Sequence, residues 1–257
     1  MFRFPIGSIG FALFFLSVFP ALEAQETRTL RFLAVGEPPP FRQEVRDGVR
    51  YELSAPEGSA PPSRIEVQAL NEEGEEEEQE YEVQELEKPG ILLQLNRFSR
   101  RVKVSTAELE VRIRDEGKAW HSCKLPEGGE DYLLVLWRDP QEKKWTKAKS
   151  ILLPDGPTAF KEGGARFINV ASRNLGVSMG ETSFRMRPGG SVTKNLGISK
   201  GLQTRVFYED ERGRAKRVWS SALVQNKRER TTVVVFFADG RKPRKPLKLI
   251  SLREKVF

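Results

Sequence analysis

One cysteine and one histidine occur in 257 residues, and each scarcity closes off chemistry. With Cys123 alone no intrachain disulfide can form, so the fold must be held by its apolar core. With His121 alone a Ser-His-Asp hydrolase would have to use that residue, and no G-x-S-x-G elbow accompanies it. His121 and Cys123 stand two apart in "WHSCKL", which puts both on one face of a strand. They could supply two metal ligands or a thiol beside a base, but zinc sites want three or four protein ligands. A partly buried cysteine beside an ordinary histidine is the expectation, with no metal, no cofactor and no catalytic residue. Helical periodicity is weak along the whole chain, and beyond the N-terminal region no run is apolar enough to span a bilayer.

The chain opens "MFRFPIGSIGFALFFLSVFPALEAQE". Arg3 stands in a short basic region, an apolar run follows to Leu22, and Ala24 offers a small residue for cleavage. That is the layout of a secretory signal peptide over 1–24, so the protein is expected to be periplasmic or extracellular. Leu22 is large for its place before the cut, and an uncleaved membrane anchor is the competing reading. Gly7, Ser8, Gly10 and Pro20 break the run and favour removal, after which no transmembrane segment is expected. No cysteine near the junction provides for a lipid anchor.

Net charge is +7 and unevenly spread. "NEEGEEEEQEYEVQELE", Asn71 to Glu87, holds ten glutamates and no cation, whereas Lys200 to Phe257 holds sixteen Lys and Arg against six acids. The acidic run cannot bury anything and reads as a solvated hairpin tip or loop. A cation-attracting patch, or a contact with the chain's own basic half, are the functional alternatives.

Period-two alternation dominates. "RTLRFLAVG" sets Leu30, Phe32 and Ala34 against Leu33 and Val35, and "AELEVRI" sets Leu109, Val111 and Ile113 against charged neighbours. Such runs suit half-buried strands. "YLLVLW" and "TVVVFF" are continuously apolar and are expected as central strands covered on both faces. "RDGV", "RPGG", "DERGR" and "ADGRKP" supply turn residues between them. The fold class expected is all-β: two tandem small antiparallel β-sandwich domains behind the signal peptide. Their bounds are 27–155, with an acidic insertion at 71–88, and 165–257. "PDGPTAFKEGGA" supplies the linker at 156–164.

Two alignments compete for an internal duplication. One lays Asn96–Gly117 over Asn169–Gly190, with nine of twenty-two positions identical. The other pairs "RFLAVG" with "RFINVA" and "DYLLVLWRDP" with "RTTVVVFFADG", so that each half begins and ends with matching strands; it is the preferred one. "RFINVA", the "RMRPGGS" turn and the terminal "VVVFFADG…KPLKLISLREKV" also resemble an uncharacterised group of exported bacterial proteins with two β-rich halves. That resemblance implies the sandwich plan and no catalytic residue; the acidic insertion departs from its pattern.

Carboxylates are plentiful, so a hydrolase using two of them is one hypothesis, though no pair sits in a recognisable context. "RPGGS" and "EGG" lack the following helix that a phosphate loop needs and read as turns. The basic segments "RGRAKRVW" and "GRKPRKPLK" would both lie at hairpin turns. Arg212, Arg214, Lys216, Arg217, Arg241, Lys242, Arg244 and Lys245 are the candidate polyanion-binding residues, and edge protection is the bland alternative. Trp137 should be core; Trp145 and Trp219, set among cations, could be half exposed, although burial is the commoner fate of a tryptophan body. A non-catalytic exported module of the cell envelope, structural or interacting, is the first expectation. Binding of acidic polysaccharide, lipopolysaccharide or another anionic surface is the second. Expected partners are thus envelope proteins or anionic polymers, and not nucleic acid.

Overall fold

The computed structural model describes residues 28–70, 90–104, 107–126, 131–139, 142, 144–196, 199–240 and 243–256. The expected leader, the acidic insertion at 71–88, and Arg241 and Lys242 lie outside the described residues. Strands dominate the rest. The first half contributes β1 (Arg28–Val35), β2 (Arg42–Arg46), β3 (Val49–Leu53), β4 (Arg64–Ala69) and β5 (Ile91–Leu92). It continues with β6 (Val102–Val104), β7 (Glu108–Ile113), β8 (Lys118–Lys124), β9 (Asp131–Arg138) and β10 (Ala148–Pro154). The second half contributes β11 (Gly164–Asn169), β12 (Leu175–Met179), β13 (Thr182–Met186) and β14 (Ser191–Asn195). It ends with β15 (Ser199–Glu209), β16 (Ala215–Gln225), β17 (Glu229–Phe237) and β18 (Leu247–Lys255).

Both halves follow one plan. Sheet β10-β9-β1-β6 faces β5-β4-β7-β8, and β18-β17-β11-β14 faces β13-β12-β15-β16. In order, β1 and β4 through β10 correspond to β11 through β18. This matches the alignment of "RFLAVG" with "RFINVA". The rival alignment lays β7 over β13, strands that hold different places in the plan, and so it fails. Hairpin β2–β3, which turns at Asp47 and Gly48 with both φ positive, has no counterpart in the second half. A type I′ turn needs that geometry, and Asp-Gly accepts it. The acidic run falls between β4 and β5, where the second half makes a tight turn at Gly180 and Glu181.

Named pairings are antiparallel except β1–β9 and β11–β17, which run parallel. Parallel neighbours need a long crossover, and here the strands of the opposite sheet provide it. The parallel pairs lie inside their sheets and are buried on both faces, which is why β9 and β17 read as unbroken apolar runs.

Three cores result. Leu30, Phe32, Leu134 and Leu136 fill the first sandwich, and Phe167, Val177, Val206 and Val233 the second. The odd faces of β1 and β9 send Leu33, Val35, Leu133 and Val135 outward, where they meet Ile168, Val170, Val234 and Phe236 of the second half. The halves therefore share a middle core. The segment expected as a linker joins β10 to β11 but is itself packed, with Asp155 and Phe160 fully buried.

Candidate functional site

Strand register places the two basic turns. β11 ends at Asn169, parallel to β17, and the chain re-enters at Leu175, which pairs with Tyr208 just before the β15–β16 turn. The turn carrying Arg212 and the β17–β18 turn carrying Arg244 and Lys245 thus lie at the same end of the second half, on opposite sheets. Arg212, Arg214, Lys216, Arg217, Arg244 and Lys245 are all exposed. Arg214 pairs with Asp210 at 3.0 Å and Lys216 approaches the same carboxylate at 3.8 Å. Backbone N–H groups of Arg212 and Arg214 and the Arg214 side chain hold the Asp210 carboxyl below its usual range. The β17–β18 turn is fastened to the first half. Glu37 accepts from the Asp239 N–H and from Lys248, and Arg138 pairs with Asp239. Arg244 and Lys245 are left facing solvent.

At the opposite end of the middle core sits a charge cluster that the sequence reading did not single out. The repeated Arg-Phe of "RFLAVG" and "RFINVA" puts Arg31 and Arg166 at equivalent places, each on the side facing the other half. Both converge on Asp155. Arg31 Nε lies 2.7 Å from Asp155 Oδ2, a charge contact not aligned as a hydrogen bond. Its Nη1 and Nη2 donate to Glu254 at 2.6 and 2.8 Å. Arg166 Nη1 reaches Asp155 at 3.4 Å, and Arg230 spans Asp155 at 3.3 Å and Glu254 at 2.9 Å. Arg101 adds a contact of 3.2 Å from the rim. The Phe160 ring lies under the guanidiniums of Arg166 and Arg230, 4.2 and 4.8 Å from its centroid. By register Asp155 and Glu254 are also equivalents, one on each half. The duplicated plan thus builds a nearly symmetric clasp between its copies.

Electrostatics follow from this crowding. Burial, with Arg230 and Arg31 alongside, outweighs Asp155 and draws the Arg166 guanidinium down to about 10. For Glu254 burial acts to raise the carboxyl, but bonds and charge from Arg31 and Arg230 outweigh it and hold it below its ordinary value. A carboxyl depressed in the folded state stabilises fully above its unfolded value, about 4.3, and that contribution is lost as pH falls toward the folded one. Urea midpoints of the wild type should therefore drop more steeply below about pH 4.3 than those of Glu254→Gln. Equal slopes would show that the Glu254 carboxylate contributes nothing to acid sensitivity.

His121 and Cys123 do share a face, the one that pairs with Val111 and Leu109. His121 Nε2 is 2.9 Å from Ser150 Oγ on β10, a bond that ties the edges of the two sheets. Burial lowers the imidazole, and it raises the Cys123 thiol to about 11, so that sulfur is a packed thiol at neutral pH. Among the described residues no group of three or more His, Cys, Asp or Glu is placed to hold a metal ion. Trp145 takes the buried alternative: Trp120 Nε1 donates to its carbonyl at 2.7 Å and its ring joins the first core. Trp219 is half-buried. No protein-family profile matches the chain. No curated protein sequence matches it either.

Proposed function

We propose that this protein is a non-catalytic, exported module of the cell envelope that binds anionic polymers through the second half. The observation that carries this reading is the gathering of exposed Arg212, Arg217, Arg244 and Lys245 at one end of that half. A set of unneutralised cations attracts polyanions by releasing their counterions, and such binding weakens steeply with salt. The export assignment rests on the N-terminal sequence. Retention of the mature chain on immobilised heparin at about 0.15 M salt is the expected result. Replacing those four residues by glutamine should shift elution to lower salt and reduce the salt slope by about one per lost contact. Flow-through of the wild type at low salt would end the proposal.

A second reading, docking onto another envelope protein, draws on a different observation. Hairpin β2–β3 pairs with no other strand among the described residues, and Phe41, Val45, Val49 and Tyr51 along it are exposed. A lone two-stranded hairpin is marginal in water, so apolar side chains on it favour a covering partner.

A further inference from the structure

We infer that the outward face of sheet β13-β12-β15-β16 is a subsite for the sugar rings of an acidic polysaccharide. This rests on the polyanion reading and narrows it to a place and a ligand. Leu175, Val177, Met179 and Val206 point into the second core, so Gly176, Ser178, Arg205 and Phe207 face outward. Register then aligns them across the sheet. One row runs Arg185, Gly176, Phe207, Arg217, and the next runs Ser183, Ser178, Arg205, Ser220. The Phe207 ring borders bare backbone, since a Cβ at Gly176 would lie 3.8 Å from its Cδ2. Beside Arg185, Gly176 and Phe207 of the first row opens a groove of about 580 Å³. It also takes in Arg187, Glu209 is the one carboxylate among its described lining residues, and Arg217 and the second row border the face outside it. The groove runs to Ala215, beside the basic β15–β16 turn.

The first half shows the same plan with this face closed. Val67 pairs with Val111 as Val177 pairs with Val206, so Glu66, Gln68, Glu110 and Arg112 stand where Gly176, Ser178, Arg205 and Phe207 stand. Arg112 donates to Gln68 Oε1 at 3.0 Å and to the Gly117 carbonyl at 2.5 Å, and it approaches Glu110 at 3.5 Å. Arg112 thus ties Gln68 and Glu110 together across this face, although its Nε makes no hydrogen bond. In the second half the acid is replaced by Arg205, the arginine by an aromatic ring, and the glutamate beside it by glycine. Arg185, Arg187, Arg205 and Arg217 have no ion-pair partner among the described residues.

Four cations around one ring fit a polymer that alternates anionic groups with flat apolar faces. Guanidinium groups match carboxylate and sulfate oxygens two at a time. Ser178, Ser183 and Ser220, with Gln203 donating to Ser220 at 3.0 Å, offer bonds to hydroxyls. Arg185 and Arg217 are three strand spacings apart, about 14 Å, a span that a few linked sugar rings fill. Single-stranded nucleic acid is usually held on successive aromatics. Here Phe207 is the one outward ring of the groove, since neighbouring Tyr208 packs against the second core, and a row of serines lies beside it, which favours sugar.

The test is titration of the mature full chain with an oligogalacturonate, with inorganic polyphosphate as a ringless polyanion and oligo-dT as a base-bearing one. Phe207→Ala should weaken oligogalacturonate binding on the order of tenfold, the effect of losing one stacked ring. Its polyphosphate affinity should be unchanged. Arg185→Gln with Arg205→Gln, both exposed and foldable whatever happens at Phe207, should weaken binding of both polymers. Arg244→Gln with Lys245→Gln should reduce polyphosphate binding and leave the Phe207 effect in place. Oligogalacturonate affinity indifferent to both face variants would overturn the inference while leaving polyanion binding standing. Tighter, Phe207-dependent binding of oligo-dT would overturn it in favour of nucleic acid. Failure of all polymers to bind at physiological salt would overturn both proposals.

Discussion

Asparagine in place of Asp155 is expected to cost roughly 3–5 kcal/mol of unfolding free energy, the usual result of removing one partner from a buried charge network. Asp155 has no exposed surface, and Arg31, Arg166 and Arg230 are each within 5% of full burial. The substitution keeps the shape and removes the one carboxylate that all three guanidiniums contact among the described residues, leaving them facing one another with Glu254 as the nearby counterion. Urea denaturation reads the difference. Glu44→Gln, which breaks the solvent-exposed pair with Arg46, is the comparison and should cost less than about 1 kcal/mol. If the two variants lose equal stability, Asp155 is not what holds the clasp.

Leu133→Ala is the second large effect, expected at about 2–5 kcal/mol. Leu133 is fully buried, but it belongs to the core between the halves and to neither sandwich. Its loss should thus weaken both sandwiches together. Hydrogen exchange in increasing urea should show β4–β7 and β12–β15 losing protection at one shared midpoint, and Leu133→Ala should move that midpoint for both. Two separate midpoints, with only the first-half strands shifted, would mean that the middle core is a docking contact and not part of one cooperative unit.

Alternation and turn chemistry made much of the architecture legible. Continuous apolar runs marked β9 and β17, and "RDGV" marked a hairpin at Asp47 and Gly48. The Arg-Phe repeat pointed to the right correspondence between halves. Linear patterns do not carry cross-strand register, so three features stayed hidden. Parallel pairing within each half depends on which strands cross to the opposite sheet. Asp155, inside "PDGP", looks like a loop acid, and only arginines from distant strands make its burial tolerable. Among the outward cations, Arg217 stood in a basic run and was singled out. Arg185 and Arg205 did not, because only pairing through β12 and β15 brings Arg185 into its row and Arg205 into the next.

The duplicated plan leaves one face bridged by Arg112 and its counterpart open, and hydrogen exchange of the full chain with and without oligogalacturonate measures that difference. Added protection is expected over 174–187 and 203–217, with none over 64–69 and 108–124. Protection confined to the 238–246 turn, or spread equally over both halves, would contradict it.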